Sequence, residues 1–184
     1  MKKALAFVII AVMLLATLGA GAEELPFTFR NGVQWEMTPE EVIQAEGVEP
    51  DVSAEMDSGY FINLYNDVTV SNYSATLEYV FLNDALKLAV YDFIADVTAK
   101  DFKYLSDALS SVYGEQQPSE PETVYDILDT IVPGAYDLDA LTDCAVWPLD
   151  EDTDIYIFYY TETQFVVLYA NRDYKTTHYN IFGL

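Results

Sequence analysis

The chain has 184 residues and carries 31 acidic side chains against 8 basic ones, which gives a formal net charge of −23. This charge argues against nucleic acids and anionic membranes as partners, because like charges repel where counterion release should drive binding. With 52% hydrophobic residues the chain is no disordered acidic tail, and its one cysteine cannot form an intramolecular disulfide.

The first 22 residues have the composition of a cleaved signal peptide. Lys2 and Lys3 form a basic start, residues 4–18 are apolar but short for a membrane span, and Ala20-Gly21-Ala22 supplies small residues of the kind that signal peptidases recognise. Two glutamates follow at once, where a spanning helix would continue apolar. We therefore expect an exported protein, extracellular or in the cell envelope, without a lipid anchor and with one domain over residues 23–184.

Periodicity, capping residues and turn residues predict a series of elements after the signal peptide. In chain order these are a strand at 27–30, a helix at 38–47, strands at 60–65, 74–82 and 86–94, helices at 98–114 and 119–133, and strands at 144–148, 154–161 and 164–170. Thr38 with Glu41 forms a capping box, Gly47 ends the first helix, and Thr98 with Asp101 repeats the helix-start pattern. Residues 179–184 either add a strand or pack as a tail.

The element order predicts the fold class. One helix and three strands are followed by two helices and three strands, and such runs of like elements are typical of α+β proteins with antiparallel sheets. We expect two halves, 33–95 and 96–171, each a helix-plus-three-stranded antiparallel meander. The halves would form one curved sheet with the helices packed on one face.

A resemblance to known families starts at the first helix. Met37-Thr38-x-x-x-Val42, with Gly47 closing the helix, is similar to the signature of the outer-membrane assembly factor BamE. The tandem helix-plus-meander plan resembles secreted β-lactamase inhibitor proteins, which oppose a curved sheet to their target. The motif is short, whereas the plan spans most of residues 23–184. The resemblance implies this architecture and brings no catalytic residues with it.

The acidic segment at residues 150–154 contains the candidate metal ligands. Asp150, Asp152 and Asp154 alternate as the first ligands of a calcium loop do. The same loop needs Gly and Glu at positions that are occupied by Ile155 and Thr161. A solvated hairpin turn is therefore the favoured interpretation, and we expect no cofactor and no specific metal.

Catalytic motifs are the next class to consider. Cys144 and His178 are the residue types of a nucleophile and its base, but no local signature surrounds either residue. The apolar neighbours of Cys144 indicate a small buried side chain. Trp35 and Trp147 are interpreted as core anchors. We therefore predict a protein that is not an enzyme.

The strand predicted at 154–161 carries aromatic side chains on both faces. Tyr156, Phe158 and Tyr160 share the face that should be polar if helices cover only the other one. Either that face is buried by helices, by the tail or by the other half, or it is an exposed aromatic surface, the residue type enriched at protein interfaces.

Two functional hypotheses follow. The first is an exported, non-enzymatic binding module that engages a protein partner, or a second copy of itself, through Tyr156, Phe158 and Tyr160. The alternative is a cell-surface protein that binds or cleaves carbohydrate. That protein would have a concave groove with an aromatic floor and acids on its rim.

Overall fold

A computed structural model describes residues 27–56, 59–70, 73–94, 98–117, 140–160 and 164–174. Within these ranges the chain forms seven strands, two α-helices and one short 3-10 segment. The strands are β1 (Val52–Glu55), β2 (Phe61–Val70), β3 (Tyr73–Leu82), β4 (Ala85–Ile94), β5 (Leu141–Pro148), β6 (Thr153–Tyr160) and β7 (Gln164–Asn171). The helices are α1 (Pro39–Glu46) and α2 (Ala99–Tyr113).

All seven strands belong to one sheet in the order β1-β2-β3-β4-β7-β6-β5. Every neighbouring pair is antiparallel. The meander β1–β4 meets the later strands where Leu88 pairs with Ala170 and Val90 pairs with Leu168. An antiparallel sheet accompanied by helices agrees with the α+β prediction at this coarse level.

The predicted division into two halves of three strands each is wrong. The described chain forms one continuous seven-stranded sheet that dominates the fold. On its N-terminal side β1 adds an outer strand, with Val52 opposite Leu64, so four strands lie where three were expected. Strand β1 was not predicted, because three of its four residues are exposed, which leaves no apolar alternation to recognise.

Both described helices begin at their predicted caps. Thr38 Oγ1 accepts a hydrogen bond from the Glu41 N–H at 3.3 Å, and the Glu41 carboxylate accepts one from the Thr38 N–H at 2.9 Å. Gly47 then ends α1 at φ 72°, a conformation that suits glycine. At α2 the Asp101 carboxylate accepts a hydrogen bond from the Thr98 N–H at 3.1 Å. The two predicted helix starts are confirmed.

The prediction of a strand at 27–30 is wrong. The chain turns there in the 3-10 segment Arg30–Gly32, with Asn31 at φ 55°. Phe29 packs edge-to-face on Trp35, with 4.7 Å between ring centroids, and is buried in the core. The Asn-Gly turn is present, but the aromatic residue before it packs against the sheet instead of joining it.

Apolar side chains are buried on both faces of the sheet. We call the side that packs against α1 and α2, through Val42, Phe102 and Leu109, the first face. The second face has its own cluster, formed by Tyr60, Ile62, Val80, Leu82, Leu88, Val90, Val146, Tyr156, Phe158, Tyr160, Val166, Leu168, Ala170 and Tyr174. Burial on both faces explains why strands such as β6 and β7 are apolar along most of their length.

Several predicted segments lie outside the described residues. They are the signal peptide at 1–22, the helix at 119–133 and the segment at 179–184. In the ranges that are described, neither helix has both the length and the apolar composition needed to cross a bilayer. Export stays a prediction.

Candidate functional site

The three aromatic residues expected to meet a partner are buried. Tyr156, Phe158 and Tyr160 lie on the second face with 9%, 0% and 2% of their surface exposed. The rings of Tyr156 and Phe158 are stacked, with centroids 6.2 Å apart. Of the two interpretations left open by the sequence, the structure shows the buried face. The three rings are therefore almost fully covered by the rest of the chain.

The acidic turn before β6 is organised around an arginine. Asp154 Oδ1 accepts hydrogen bonds from Arg172 Nε at 3.0 Å and Nη2 at 2.9 Å, and Arg172 Nη1 donates to the Glu151 carbonyl at 3.1 Å. Asp150 Oδ1 accepts the Asp152 N–H at 2.9 Å, which tightens the turn locally. Across the described ranges, no three acidic, histidine or cysteine side chains are grouped so as to hold a metal ion.

Cys144 lies on the edge strand β5 and is half-buried beside the second-face cluster. Its backbone N–H donates to Asp143 Oδ1 at 2.9 Å. His178 lies outside the described residues. A pairing of this cysteine and this histidine therefore remains a hypothesis from residue type alone.

Both tryptophans pack in the first-face core, as predicted. Trp147 is fully buried, and its Nε1 donates to Ser110 Oγ on α2 at 3.2 Å. Trp35 is half-buried, and its Nε1 donates to Thr153 Oγ1 on β6 at 2.8 Å. The indole N–H of Trp147 thus links β5 to α2, and that of Trp35 links the loop before α1 to β6.

Two carboxyl groups lie close together on the second face. Glu78 on β3 and Asp92 on β4 are diagonal neighbours, since Glu78 is opposite Val90 and Asp92 is opposite Thr76. Gln164 Nε2 donates to Asp92 Oδ2 at 2.9 Å. Glu78 Oε2 and Asp92 Oδ1 are buried without a hydrogen-bond partner.

This pair is held in an environment that favours the protonated acid. Burial, and then the charge of Asp92, raises the pKa of Glu78 to about 7. Burial also raises the pKa of Asp92, against the lowering effect of the Gln164 hydrogen bond. Neither residue lines the two cavities described below. The arrangement can therefore take up a proton near neutral pH.

A groove of about 640 Å³ lies between α2 and β5. Phe102 and Tyr159 lie at its base, with ring centroids 5.8 Å apart and little exposed surface. Lys103 Nζ is 2.7 Å from Asp107 Oδ1 at its rim. The acidic residues along the groove are Asp107, Glu115 and Asp143.

A second cavity, of about 380 Å³, lies between the end of α1 and an irregularity in β2; we call it the bulge pocket. The pairing of β2 with β3 is interrupted between Tyr65 and Val68, and Asp67 adopts φ 52° there. Asp51 Oδ2 accepts the Asn66 N–H at 2.7 Å and so fixes the bulged backbone. The lining residues are Arg30, Glu46, Val48, Glu49, Asp51, Tyr65, Asn66, Asp67, Val68 and Thr69.

Glu46, the last residue of α1, is a buried carboxylate with three donors. Its Oε2 is 3.2 Å from Arg30 Nε and accepts Asn31 Nδ2 at 2.8 Å, and its Oε1 accepts the Tyr79 hydroxyl at 2.6 Å. Its side chain is 1% exposed. A negative charge at a helix C-terminus opposes the helix dipole, and these charge-assisted hydrogen bonds offset that cost. The result is a fixed carboxylate in the wall of the bulge pocket.

Tyr65 is the unusual member of this pocket. It is 5% exposed, and its hydroxyl oxygen is buried without a hydrogen-bond partner. Burial, and then the charges of Glu46 and Glu49, raises its pKa to about 12, so the hydroxyl keeps its proton at neutral pH. A buried hydroxyl without a partner carries an uncompensated desolvation cost.

Sequence reasoning missed Arg30, Glu46 and Tyr65. One signal was available, since the chain has only two arginines and both contact carboxylates in the structure, Arg30 with Glu46 and Arg172 with Asp154. Because acidic residues greatly outnumber arginines in this chain, each arginine can be expected to pair with a carboxylate. The sequence does not show which carboxylate, because the tertiary fold brings the two together.

Comparison of the chain with family models, with curated proteins and with solved structures finds no match. The similarity of Met37-Thr38-x-x-x-Val42 to the BamE signature stays a prediction. The grounds for a function are therefore the geometry and charge of the groove, of the bulge pocket and of the carboxylate pair.

Proposed function

We propose that the protein is an exported, non-enzymatic binding module that holds a basic segment of a protein partner at the bulge pocket. The observation that supports this proposal is the gathering of Glu49, Asp51 and Asp67 around one cavity. Arg30 is the one basic residue in the described lining, and it is already paired with Glu46. The pocket therefore presents uncompensated negative charge.

The charge of the whole chain acts in the same direction. A concave site lined by one sign of charge focuses the field and raises the local concentration of oppositely charged groups. With a net charge of −23, the chain attracts a basic partner from a distance and repels acidic ones. The bulge pocket takes the place of Tyr156, Phe158 and Tyr160 in this proposal, because those rings are buried.

The test is calorimetric titration with a short lysine-rich peptide at physiological ionic strength. The variant Asp51→Asn/Asp67→Asn removes two pocket charges, and asparagine both accepts the same hydrogen bonds and tolerates positive φ. The control variant Glu115→Gln/Asp143→Asn removes two charges elsewhere. We expect the pocket variant to lose about tenfold in affinity, roughly 1.4 kcal/mol, and the control to lose much less. Equal losses would mean diffuse charge attraction and would contradict the proposal.

The groove between α2 and β5 favours a second candidate function, carbohydrate binding or cleavage at the cell surface. Its base contains Phe102 and Tyr159, and acids and hydroxyl-bearing side chains lie along its rim. Binding to insoluble cell-wall polysaccharide, or release of reducing sugar from it, would support this candidate. Glu115→Gln/Asp143→Asn then serves as the site variant, and an unchanged result with it would contradict the groove as the site.

A further inference from the structure

We infer that Glu78 and Asp92 hold one proton between them, in a hydrogen bond that Glu78 Oε2 donates to Asp92 Oδ1, and that loss of this proton loosens the adjoining end of the sheet. We call these two residues the carboxyl pair. The inference is independent of the bulge pocket and of the function proposed for it. It starts from two buried oxygen atoms on the second face.

The first argument is the position of these two oxygens. Glu78 on β3 and Asp92 on β4 are diagonal neighbours in the sheet, and long side chains in this relation can reach each other. Each residue has one oxygen, Glu78 Oε2 and Asp92 Oδ1, that is buried without a hydrogen-bond partner. Two ionised carboxylates can only accept hydrogen bonds, whereas a protonated acid donates to a carboxylate. One proton therefore satisfies both oxygens.

The second argument shows which residue carries the proton. Asp92 Oδ2 already accepts a hydrogen bond from Gln164 Nε2 at 2.9 Å, and such a donor favours the ionised carboxylate. Burial, and then the charge of Asp92, favours the protonated form of Glu78 and raises its pKa to about 7. The proton therefore belongs to Glu78. A chain of hydrogen bonds then runs from β3 through Asp92 on β4 to Gln164 on β7.

The third argument concerns the cations that could neutralise the carboxyl pair instead. Four of the five basic residues in the described ranges pair with other carboxylates, namely Arg30, Lys87, Lys103 and Arg172. The fifth, Lys100, is exposed at the start of α2, and this helix packs on the first face. Among the described residues, neutralisation of the pair is therefore left to a proton.

The residues that surround the carboxyl pair on the neighbouring strands contribute little charge. Leu64 on β2 and Val166 on β7 lie directly opposite its two members. Asp67 in the β2 bulge is exposed, so solvent screens its charge. Tyr160 on β6 adjoins Gln164, and a phenol is neutral at this pH. Ionisation of the pair therefore depends mainly on its own two members.

The carboxyl pair lies near the end of the ladder between β4 and β7. Asp92 is opposite Val166, and the pairing ends two residues later at Gln164. Two buried like charges repel each other, and their hydration requires water to enter where the ladder ends. The ends of strands open at a lower free energy than the centre of a sheet. Loss of the proton should therefore loosen residues 92–94 and 164–166 before the rest of the sheet.

The first experiment follows the side-chain carboxyl carbons of the folded protein by carbon-13 NMR on both sides of neutral pH. We expect the Glu78 carbon to titrate with a pKa of about 7. The Asp92 carbon should respond at the same pH, because its hydrogen bond is lost with the proton. Asp92→Asn should lower the pKa of Glu78 by about one unit, because it removes the neighbouring charge.

Three results of this titration would overturn the shared proton. They are a Glu78 pKa near 4.5, an Asp92 carbon that does not respond around pH 7, and an unchanged Glu78 pKa in Asp92→Asn. The first two are measured on the parent protein, so they decide the matter even if a variant fails to fold.

The second experiment measures the loosening by backbone amide hydrogen exchange, corrected for the intrinsic effect of pH on exchange. Protection of residues 92–94 and 164–166 should fall about tenfold between about pH 6 and pH 8, as expected for a Glu78 pKa of 4.5 in the open state and about 7 in the closed state. In Glu78→Gln the side-chain amide donates to Asp92 at every pH, so the fall should be absent. Glu55→Gln on β1 is the matched control and should behave as the parent. An equal fall in Glu78→Gln, or a fall of the same size throughout the sheet, would contradict the loosening.

Discussion

Two neighbouring tyrosines on the first face differ in one hydrogen bond. Tyr79 donates to Glu46 at 2.6 Å, whereas the Tyr65 hydroxyl has no partner. Both side chains are buried, and their rings meet edge-on with centroids 6.0 Å apart. Replacing each by phenylalanine removes the same atom from nearly the same surroundings. The pair therefore separates the value of a hydrogen bond from the effect of packing.

Tyr79→Phe should lower the free energy of unfolding by about 2 kcal/mol, because it removes a hydrogen bond to a buried charged group. Tyr65→Phe should leave the free energy of unfolding unchanged or slightly higher, because it removes an unsatisfied hydroxyl. Urea denaturation monitored by fluorescence measures both. Equal destabilisation by the two substitutions would mean that packing, and not the bond to Glu46, determines the loss.

Glu78 makes stability depend on pH in an uncommon direction. Its pKa rises from 4.5 to about 7 on folding, so the folded state binds the proton more tightly than the unfolded state. Stability from this group is complete below pH 4.5 and is lost as the pH rises through about 7. By the size of the shift, the loss is on the order of 3 kcal/mol.

Glu78→Gln should remove this dependence. The variant should be more stable than the parent at pH 8, and the difference should vanish near pH 4.5, because glutamine stays neutral at both. Thermal unfolding followed across this pH range measures the effect. Glu55→Gln, on the exposed strand β1, is the matched control and should keep the slope of the parent. If the stability of both variants fell equally as the pH rises, the titrating group would be a residue other than Glu78.

At the scale of single elements, strands were predicted well where turn residues mark their ends. Asn83 and Asp84 mark the hairpin between β3 and β4 and adopt φ 55° and 60° there. Both strand positions were predicted to within about one residue for this reason. The sequence does not predict β1, since pairing with β2 and not an apolar pattern defines it.

The bulge pocket was less predictable than the fold, because it is created by the irregularity in the pairing of β2 with β3. The strand predicted at 60–65 ends where the ladder of β2 becomes irregular, and pairing resumes at Val68. No element was predicted for the residues between those points. Glu46 and Tyr65 reach the same cavity through tertiary packing alone, so no local pattern joins them.

The outer strand β1 is protected against pairing with another chain. It is four residues long, and Ser53 and Glu55 on it are exposed and polar. Short, charged edge strands resist intermolecular pairing. Ser53→Val/Glu55→Val should therefore produce concentration-dependent association, measured by sedimentation velocity. Ser111→Val/Glu115→Val adds similar apolar surface on and after α2, away from β1, and should remain unassociated. Association of both variants would point to general hydrophobicity.

At the scale of the whole molecule, 31 acidic side chains repel one another, and any salt relieves the repulsion. Sodium chloride and calcium chloride at equal ionic strength should therefore raise the thermal midpoint by similar amounts. Calcium should give no resolvable heat in high salt, because Arg172 engages Asp154 in the acidic turn. A stoichiometric heat that persists in high salt and disappears in Asp152→Ala would contradict this prediction and make the turn a calcium site.

The position of β7 in the sheet has a consequence for the order of folding. This strand lies between β4 and β6, and it pairs Ile94 with Gln164 at one side and Ile157 with Val167 at the other. Before β7 is in place, the described strands can form only a four-stranded meander and a separate hairpin. Joining them requires contacts between distant parts of the chain, which form slowly. Until then the long edge of β4, with Leu88 and Val90, is open to other chains. The last of the described strands to be synthesised thus joins the two parts of the sheet and covers the edge of β4.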